Sequence, residues 1–136
     1  MDIDDLNLTD EKVNGLPEKT YSIKAEEGLI GSIFLKPKIM SEILEIVNEE
    51  DFYKGSHKIL FNEMKKAHES GKIIEVLVII ELLKKNNLLE EVGGEDTIYD
   101  FTEVVSTAAN ATTYARIIKE KSIQRQLTYH SVLVFF

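Results

Sequence analysis

The chain has 136 residues, 43% of them apolar, with no cysteine and a formal net charge of −8. That length suits one domain, able to bury about two-thirds of the surface its unfolded chain would expose. The missing cysteines exclude disulfides, thiolate metal sites and thiol nucleophiles, and the acidic balance argues against a whole surface that grips phosphates.

Much of the negative charge sits in residues 1–19, where Asp2, Asp4, Asp5, Asp10, Glu11 and Glu18 outweigh Lys12 and Lys19; few apolar groups accompany them, so a mobile acidic arm is expected. Met1-Asp2-Ile3-Asp4-Asp5 has neither the basic leader nor the apolar stretch of a secretory signal. The longest apolar runs, Val76 to Ile80 and Val132 to Phe136, have five residues each, against the ~20 of a membrane helix. A cytoplasmic protein without a membrane anchor is expected.

The next part, residues 20–127, reads as six helices. Leu29, Ile30, Ile33 and Phe34 recur at three and four residues, which predicts a first helix from Ile23 to Leu35 with Ser22 as its cap and Glu26 and Glu27 near its positive end. Gly28, Gly31 and Ser32 leave one side of it shallow enough for another helix to approach closely. Pro37 suits a first helical position, and Met40, Ile43, Leu44 and Val47 form the buried stripe of a second helix. Asn48 to Gly55 reads as loop, with Glu49, Glu50 and Asp51 as a solvated acidic turn. Phe52 and Tyr53 are placed to fold back onto the core.

Ser56 is a plausible cap for a third helix running to Glu69, with Leu60, Met64 and Ala67 facing inward and a stop at Ser70-Gly71. Val76, Ile79, Ile80 and Leu83 make the stripe of a fourth, closed by Asn86-Asn87. The branched run Val76 to Ile80 also fits a buried strand, but Leu82, Leu83 and Lys84 extend the pattern and no second segment alternates to pair with it. Gly93-Gly94 precede a fifth helix with Ile98, Phe101, Val104 and Val105 inward. Asn110 can cap a sixth, marked by Tyr114, Ile117, Ile118, Lys121 and Leu127, whose stripe is thin and whose other faces are charged, as in an element that projects toward a partner. Arg116, Lys119, Lys121 and Arg125 make a basic strip on it, with Arg116 and Glu120 one turn apart as an ion pair.

No enzymatic site emerges. His57 and His68 are eleven residues apart on one predicted helix, about 16 Å along its axis, too far to share a metal. His130 stands alone. There is no nucleophile elbow and no glycine-rich loop ending in Lys-Ser or Lys-Thr. The five tyrosines are scattered and not interleaved with cations as a base-stacking surface requires.

Four blocks in order carry a resemblance to a known family. They are Leu16-Pro17 with Ile23-Lys24-Ala25-Glu26-Glu27-Gly28-Leu29-Ile30-Gly31; Asp51-Phe52-Tyr53 with His57 and Phe61; Leu89-Glu90-Glu91-Val92-Gly93-Gly94; and Ala108-Ala109-Asn110 followed by Tyr114 to Lys121 and Arg125. Together they resemble the N-terminal domain of the bacterial replicative DNA helicase, the DnaB family. The resemblance implies an all-α, compact six-helix domain whose last helix begins a helical hairpin. It also implies self-association in the collar of a hexameric ring, docking of the primase's helicase-binding domain, and contact with DNA only indirectly. ATP, Mg and catalysis belong to a separate motor domain of the family, so no cofactor, metal or catalytic residue is expected in this chain. Tyr114, Arg116, Ile117, Lys121 and Arg125 on the projecting helix are the partner-interface candidates. The competing reading is a small helical DNA-binding domain using the Arg116 to Arg125 strip.

The chain departs from the family in three places. Glu75 and Val78 stand where Asp and Thr are usual ahead of the fourth helix, which removes a short-side-chain cap at a cost of about 1 kcal/mol. Thr97 and Ile98 replace an expected aromatic and leucine. After Leu127 the tail, residues 128–136, is unlike the family's amphipathic hairpin; it ends in the uncharged, strand-prone run Val132 to Phe136, so the hairpin is expected to be truncated and self-association weakened.

Overall fold

The computed structural model describes residues 20–135, with side chains to Thr128, so the acidic arm of residues 1–19 lies outside the described residues. Six α-helices are present: α1 Ile23–Leu35, α2 Met40–Leu44, α3 Gly55–Glu69, α4 Val76–Lys85, α5 Gly94–Phe101 and α6 Ala111–Phe135. Two 3-10 turns, Pro37–Ile39 and Glu49–Asp51, link the early helices. Among the described residues there is no strand, and the all-α expectation holds.

Helix α1 is the hub, packed on α3, α5 and α6. Ala25, Glu26 and every residue from Gly28 to Ile33 are buried, so the helix is enclosed on nearly all sides. Ser22 caps it by accepting the Ala25 N–H at 3.2 Å. The small residues make this enclosure possible. A Cβ at Gly28 would come within 2.8 Å of the Tyr114 ring, and one at Gly31 within 2.7 Å of the Phe101 carbonyl oxygen, so α6 and the end of α5 seat directly on the α1 backbone.

In α4 the burial follows a helical period: Ile79, Ile80 and Leu83 are inside and Leu77 is exposed. A strand would have placed Val76, Val78 and Ile80 on one face. Its N-cap, Glu75, makes no side-chain cap bond, as its departure from the family predicts. Ile74 and Ile79 flank it, both buried, at the spacing of a hydrophobic staple.

Several expectations are corrected. The second helix begins as a 3-10 turn at Pro37, and its α part ends at Leu44, before Val47. Helix α5 ends at Phe101, so Val104 and Val105 lie beyond it; Val104 is exposed, and both meet the Gly31 side of α1 from a loop. The backbone of α6 stays helical to Phe135, against the strand propensity of Val132 to Phe136.

Ser56 does not cap α3. The N-cap is Lys54, without a local side-chain acceptor. A distant residue instead holds the segment that leads into it: Glu26 of α1, only 1% exposed, accepts the Tyr53 N–H at 2.7 Å, the Lys54 N–H at 3.3 Å and the Nδ1 of His57 at 2.8 Å. Because a carboxylate only accepts, Nδ1 of His57 carries the proton. The His57 ring, 2% exposed, stands edge-on to Phe101 at 5.6 Å, so one carboxyl ties α1, the turn before α3, and α3 itself against α5.

Replacing Glu26 by Ala leaves two part-buried amides and a buried histidine without their acceptor. Glu26→Ala is expected to lower stability by about 3 kcal/mol, and Glu26→Gln, which keeps an acceptor, by less; urea denaturation monitored by circular dichroism measures both.

Candidate interaction surface

Helix α6 carries all five interface candidates, and the structure divides them. Tyr114 is half-buried with its ring over Gly28; with Ile117, Val104, Val105 and the first turn of α1 it lines a hollow of about 420 Å³. Arg116 is exposed on the rim of a second hollow of about 330 Å³, lined also by Ile46, Lys119, Glu120, Ile123 and Gln124. Lys121 is half-buried between these two faces.

Arg125 lies inside the fold. Its guanidinium donates to the Thr20 carbonyl at 2.8 Å and the Asp51 carbonyl at 2.7 Å, and it sits 5.6 Å from the centre of the Tyr53 ring. Tyr53 in turn stacks on Tyr21, centroids 3.9 Å apart and planes 7° from parallel, so the cation closes one side of an aromatic stack.

The acidic turn is also drawn inward, where the sequence suggests a solvated one. Asn48 and Asp51 form a capping box across the 3-10 turn. Asp51, 3% exposed, accepts the Ser122 hydroxyl at 2.8 Å, the Asn48 N–H at 2.9 Å and the Lys119 ammonium at 3.3 Å. Lys119, Ser122 and Arg125 therefore hold α6 against this turn. The basic strip dissolves: Lys119 and Arg125 are committed to the fold, and among the described residues Arg116 and Glu120 form no ion pair. Beside the turn, Glu49 pairs with Lys65 at 3.1 Å. A backbone hydrogen bond, and then that lysine, hold the Glu49 carboxyl below the ordinary carboxylate value near 4.5.

Sequence reasoning missed three buried carboxyls: Glu26, Asp51 and Glu63, the last accepting Asn86 Nδ2 at 3.1 Å. Asp51-Phe52-Tyr53 and His57 mark the site within the family-like block, but no periodicity signals that an acid turns inward. Among the described residues, no three His, Asp or Glu side chains are grouped to hold a metal.

The outward face of α6 has a different character. Arg116, Glu120, Ile123 and Leu127 recur at four, three and four residues, and Ile123 and Leu127 are 45% and 62% exposed. The stripe is charged toward its start and apolar toward its end.

The model of the DnaB-like helicase N-terminal domain matches residues 18–120. The chain belongs to that family. It is 37% identical over 120 residues to the replicative DNA helicase DnaC of Bacillus subtilis, covering 88% of this chain and 26% of that protein. It is 36% identical over 106 residues to the replicative DNA helicase DnaB of Geobacillus stearothermophilus, covering 78% and 23%. The crystal structure of the N-terminal domain of DnaB helicase from Mycobacterium tuberculosis superposes with a TM-score of 0.82 at 26% identity, covering 85% of this chain and 80% of that one. The chain thus spans about a quarter of the length of these curated relatives and corresponds to the N-terminal domain of a replicative DNA helicase. Among the described residues, no helix of this DnaB-family domain is long and apolar enough to cross a membrane.

Two substitutions separate anchoring from display on α6. Arg125→Ala is expected to cost about 2–3 kcal/mol, since it leaves two buried carbonyls without a charged donor, whereas Arg116→Ala stays within about 0.5 kcal/mol; thermal melts compare them. Glu49 supplies a pH test. Its lowered carboxyl favours the folded state above the ordinary carboxylate range and loses that contribution as pH falls through the lowered value, so the stability gap between wild type and Glu49→Gln should close on acidification below about pH 4.

Proposed function

We propose that this domain is an interaction head of a replicative helicase, contributing to the amino-terminal collar of the ring and to docking of the primase's helicase-binding domain, and that it neither hydrolyses ATP nor unwinds DNA by itself. The observation that carries this reading is the outer stripe of α6. Its inner stripe, Ala111, Ala115, Ile118, Ser122 and Arg125, is fully used by the fold, while Ile123 and Leu127 on the neighbouring face remain in water. Burying each against another helix is worth about 1.5–3 kcal/mol, so association rather than catalysis is the chemistry this surface offers.

The competing DNA reading is weakened because Arg125 is buried and Lys119, though 43% exposed, is paired with Asp51, on a domain that is acidic overall. Catalysis lacks a phosphate-cradling loop anywhere in the sequence.

The decisive experiment is capture of the cognate primase's helicase-binding domain by the purified chain, with sedimentation velocity on the chain alone. Ile123→Glu with Leu127→Glu is expected to weaken self-association at unchanged circular dichroism. Unaltered association and no primase capture would reject the reading, as would appreciable DNA-stimulated ATPase activity.

A further inference from the structure

A second surface lies on α4 and α5 and uses no residue of α6. Ile73, Leu77, Val78 and Leu82 line an open groove of about 680 Å³, and Ile73 and Leu77 are 69% and 56% exposed. Scattered apolar residues on a surface need no explanation, but four converging in one groove do. The cations of the lining are Lys72, in the loop before α4, and Lys85, the last residue of α4. Both are exposed, and among the described residues neither forms an ion pair. The one acid of the lining, Glu81, already has Lys84 at 3.8 Å.

On the neighbouring helix the character inverts. Lys84 also reaches Glu95 of α5 at 3.5 Å, so the outward sides of α4 and α5 adjoin. Residues 86–115 contain six acids and no lysine or arginine. Asp96, Tyr99, Asp100 and Glu103 are all exposed, Tyr99 by 44%, and among the described residues these three acids form no ion pair. Asp96, Asp100 and Glu103 recur at four and three residues and so share one side, with Tyr99 beside them. An aromatic ring among anions thus stands next to an apolar groove with cations. Helix α5 is fixed by its buried Ile98 and Phe101 and by the Phe101 carbonyl seated against Gly31, so Tyr99 points away from the core and does not line the groove of its own chain.

We propose that this face joins two copies of the chain about a two-fold axis, with Tyr99 of each copy in the α4 groove of the other and the α5 acids toward its Lys72 and Lys85. A two-fold contact needs a patch that carries both halves of the match, as adjoining α4 and α5 do. The ten residues of α4 rise about 15 Å and Asp96 to Glu103 cover about 10 Å; the flexible four-carbon lysine stems close the difference. The inference rests on the self-association proposed above and adds a contact separate from the Ile123 and Leu127 stripe, so one chain can hold two neighbours at once.

Sedimentation velocity reads this contact by itself in the Ile123→Glu, Leu127→Glu background, where the α6 stripe is disabled. There, Lys72→Glu with Lys85→Glu, and separately Asp96→Lys with Asp100→Lys, are each expected to weaken the remaining association about tenfold. An equimolar mixture of the two reversed chains is expected to restore it, because each groove then meets an α5 of opposite sign. The lysine substitutions reduce the net negative charge of the chain, so general repulsion predicts tighter association for that variant and specific pairing predicts weaker. Tyr99→Ala, at an exposed position, is expected to weaken association at unchanged circular dichroism. No remaining association in the background, insensitivity to either reversal, or a mixture that fails to pair overturns the proposal. In each of those cases the α6 contact stands if the wild-type chain self-associates, whereas a wild-type chain that stays monomeric removes both.

Discussion

The fold turns on one buried carboxyl. Glu26 sits on the most enclosed helix of the domain and accepts three hydrogen bonds from a segment 27 to 31 residues further along the chain. Without it, the Tyr53 and Lys54 amides leading into α3 and the buried His57 ring would lose their acceptor. The same contact fixes His57 against Phe101, which in turn sets where the α5 carboxyl end crosses Gly31. One buried carboxyl therefore places α3 and, through His57, α5 relative to α1, and the hydrophobic core fills in the space they define.

A second long-range set fixes the other side. Asp51 and Arg125 exchange roles across the same turn: the carboxylate of Asp51 accepts from α6 through Ser122 and Lys119, while its main-chain carbonyl accepts from Arg125. Arg125 also reaches Thr20, the residue at which the described fold begins. The start of the domain, the turn between α2 and α3, and the long last helix are thus held at one point. Charge here serves registration: a planar fork with two carbonyl partners defines an orientation that apolar contact alone leaves free to slide.

Helix positions were legible in the sequence where burial follows a 3.6-residue period, as in Val76 to Lys85 and the Leu60, Met64, Ala67 stripe; Ile23 to Leu35 was legible from the spacing of its large apolar residues although it is enclosed nearly all round. Gly28 and Gly31 were legible as a close-approach side for the same reason. What stayed hidden is long-range and polar. Ser56 has the right chemistry for a cap and stands one residue inside the helix, while the acceptor that does the work is 28 residues from the Lys54 amide it satisfies. Asp51 resembles its solvated neighbour Glu50 until α6 is folded over it. Val104 and Val105 fit the helical period of α5, yet the helix ends at Phe101 and both lie beside Gly31 from the loop beyond it. Arg125 looks like a surface cation in a charged helix and becomes a core residue only through contacts more than 70 residues away.

These buried polar ties also explain why the outer surface has the character it does. Of the cations that hold α6, Arg125 is buried and Lys119, still 43% exposed, is paired with Asp51, while the outward side of α6 carries Arg116, Glu120, Ile123 and Leu127. On an acidic chain, this side offers apolar contact with a charged lead-in. The 4-3-4 spacing of that stripe covers eleven residues in three steps, about 3.7 per step and close to the 3.6 of a straight helix, so the stripe stays on one face along its length. A helix whose inner seam registers the domain and whose outer seam follows the same period can pass its orientation to a neighbouring helix without bending the fold between them. Rigid registration inside and helix-on-helix contact outside are, on this argument, two faces of one element.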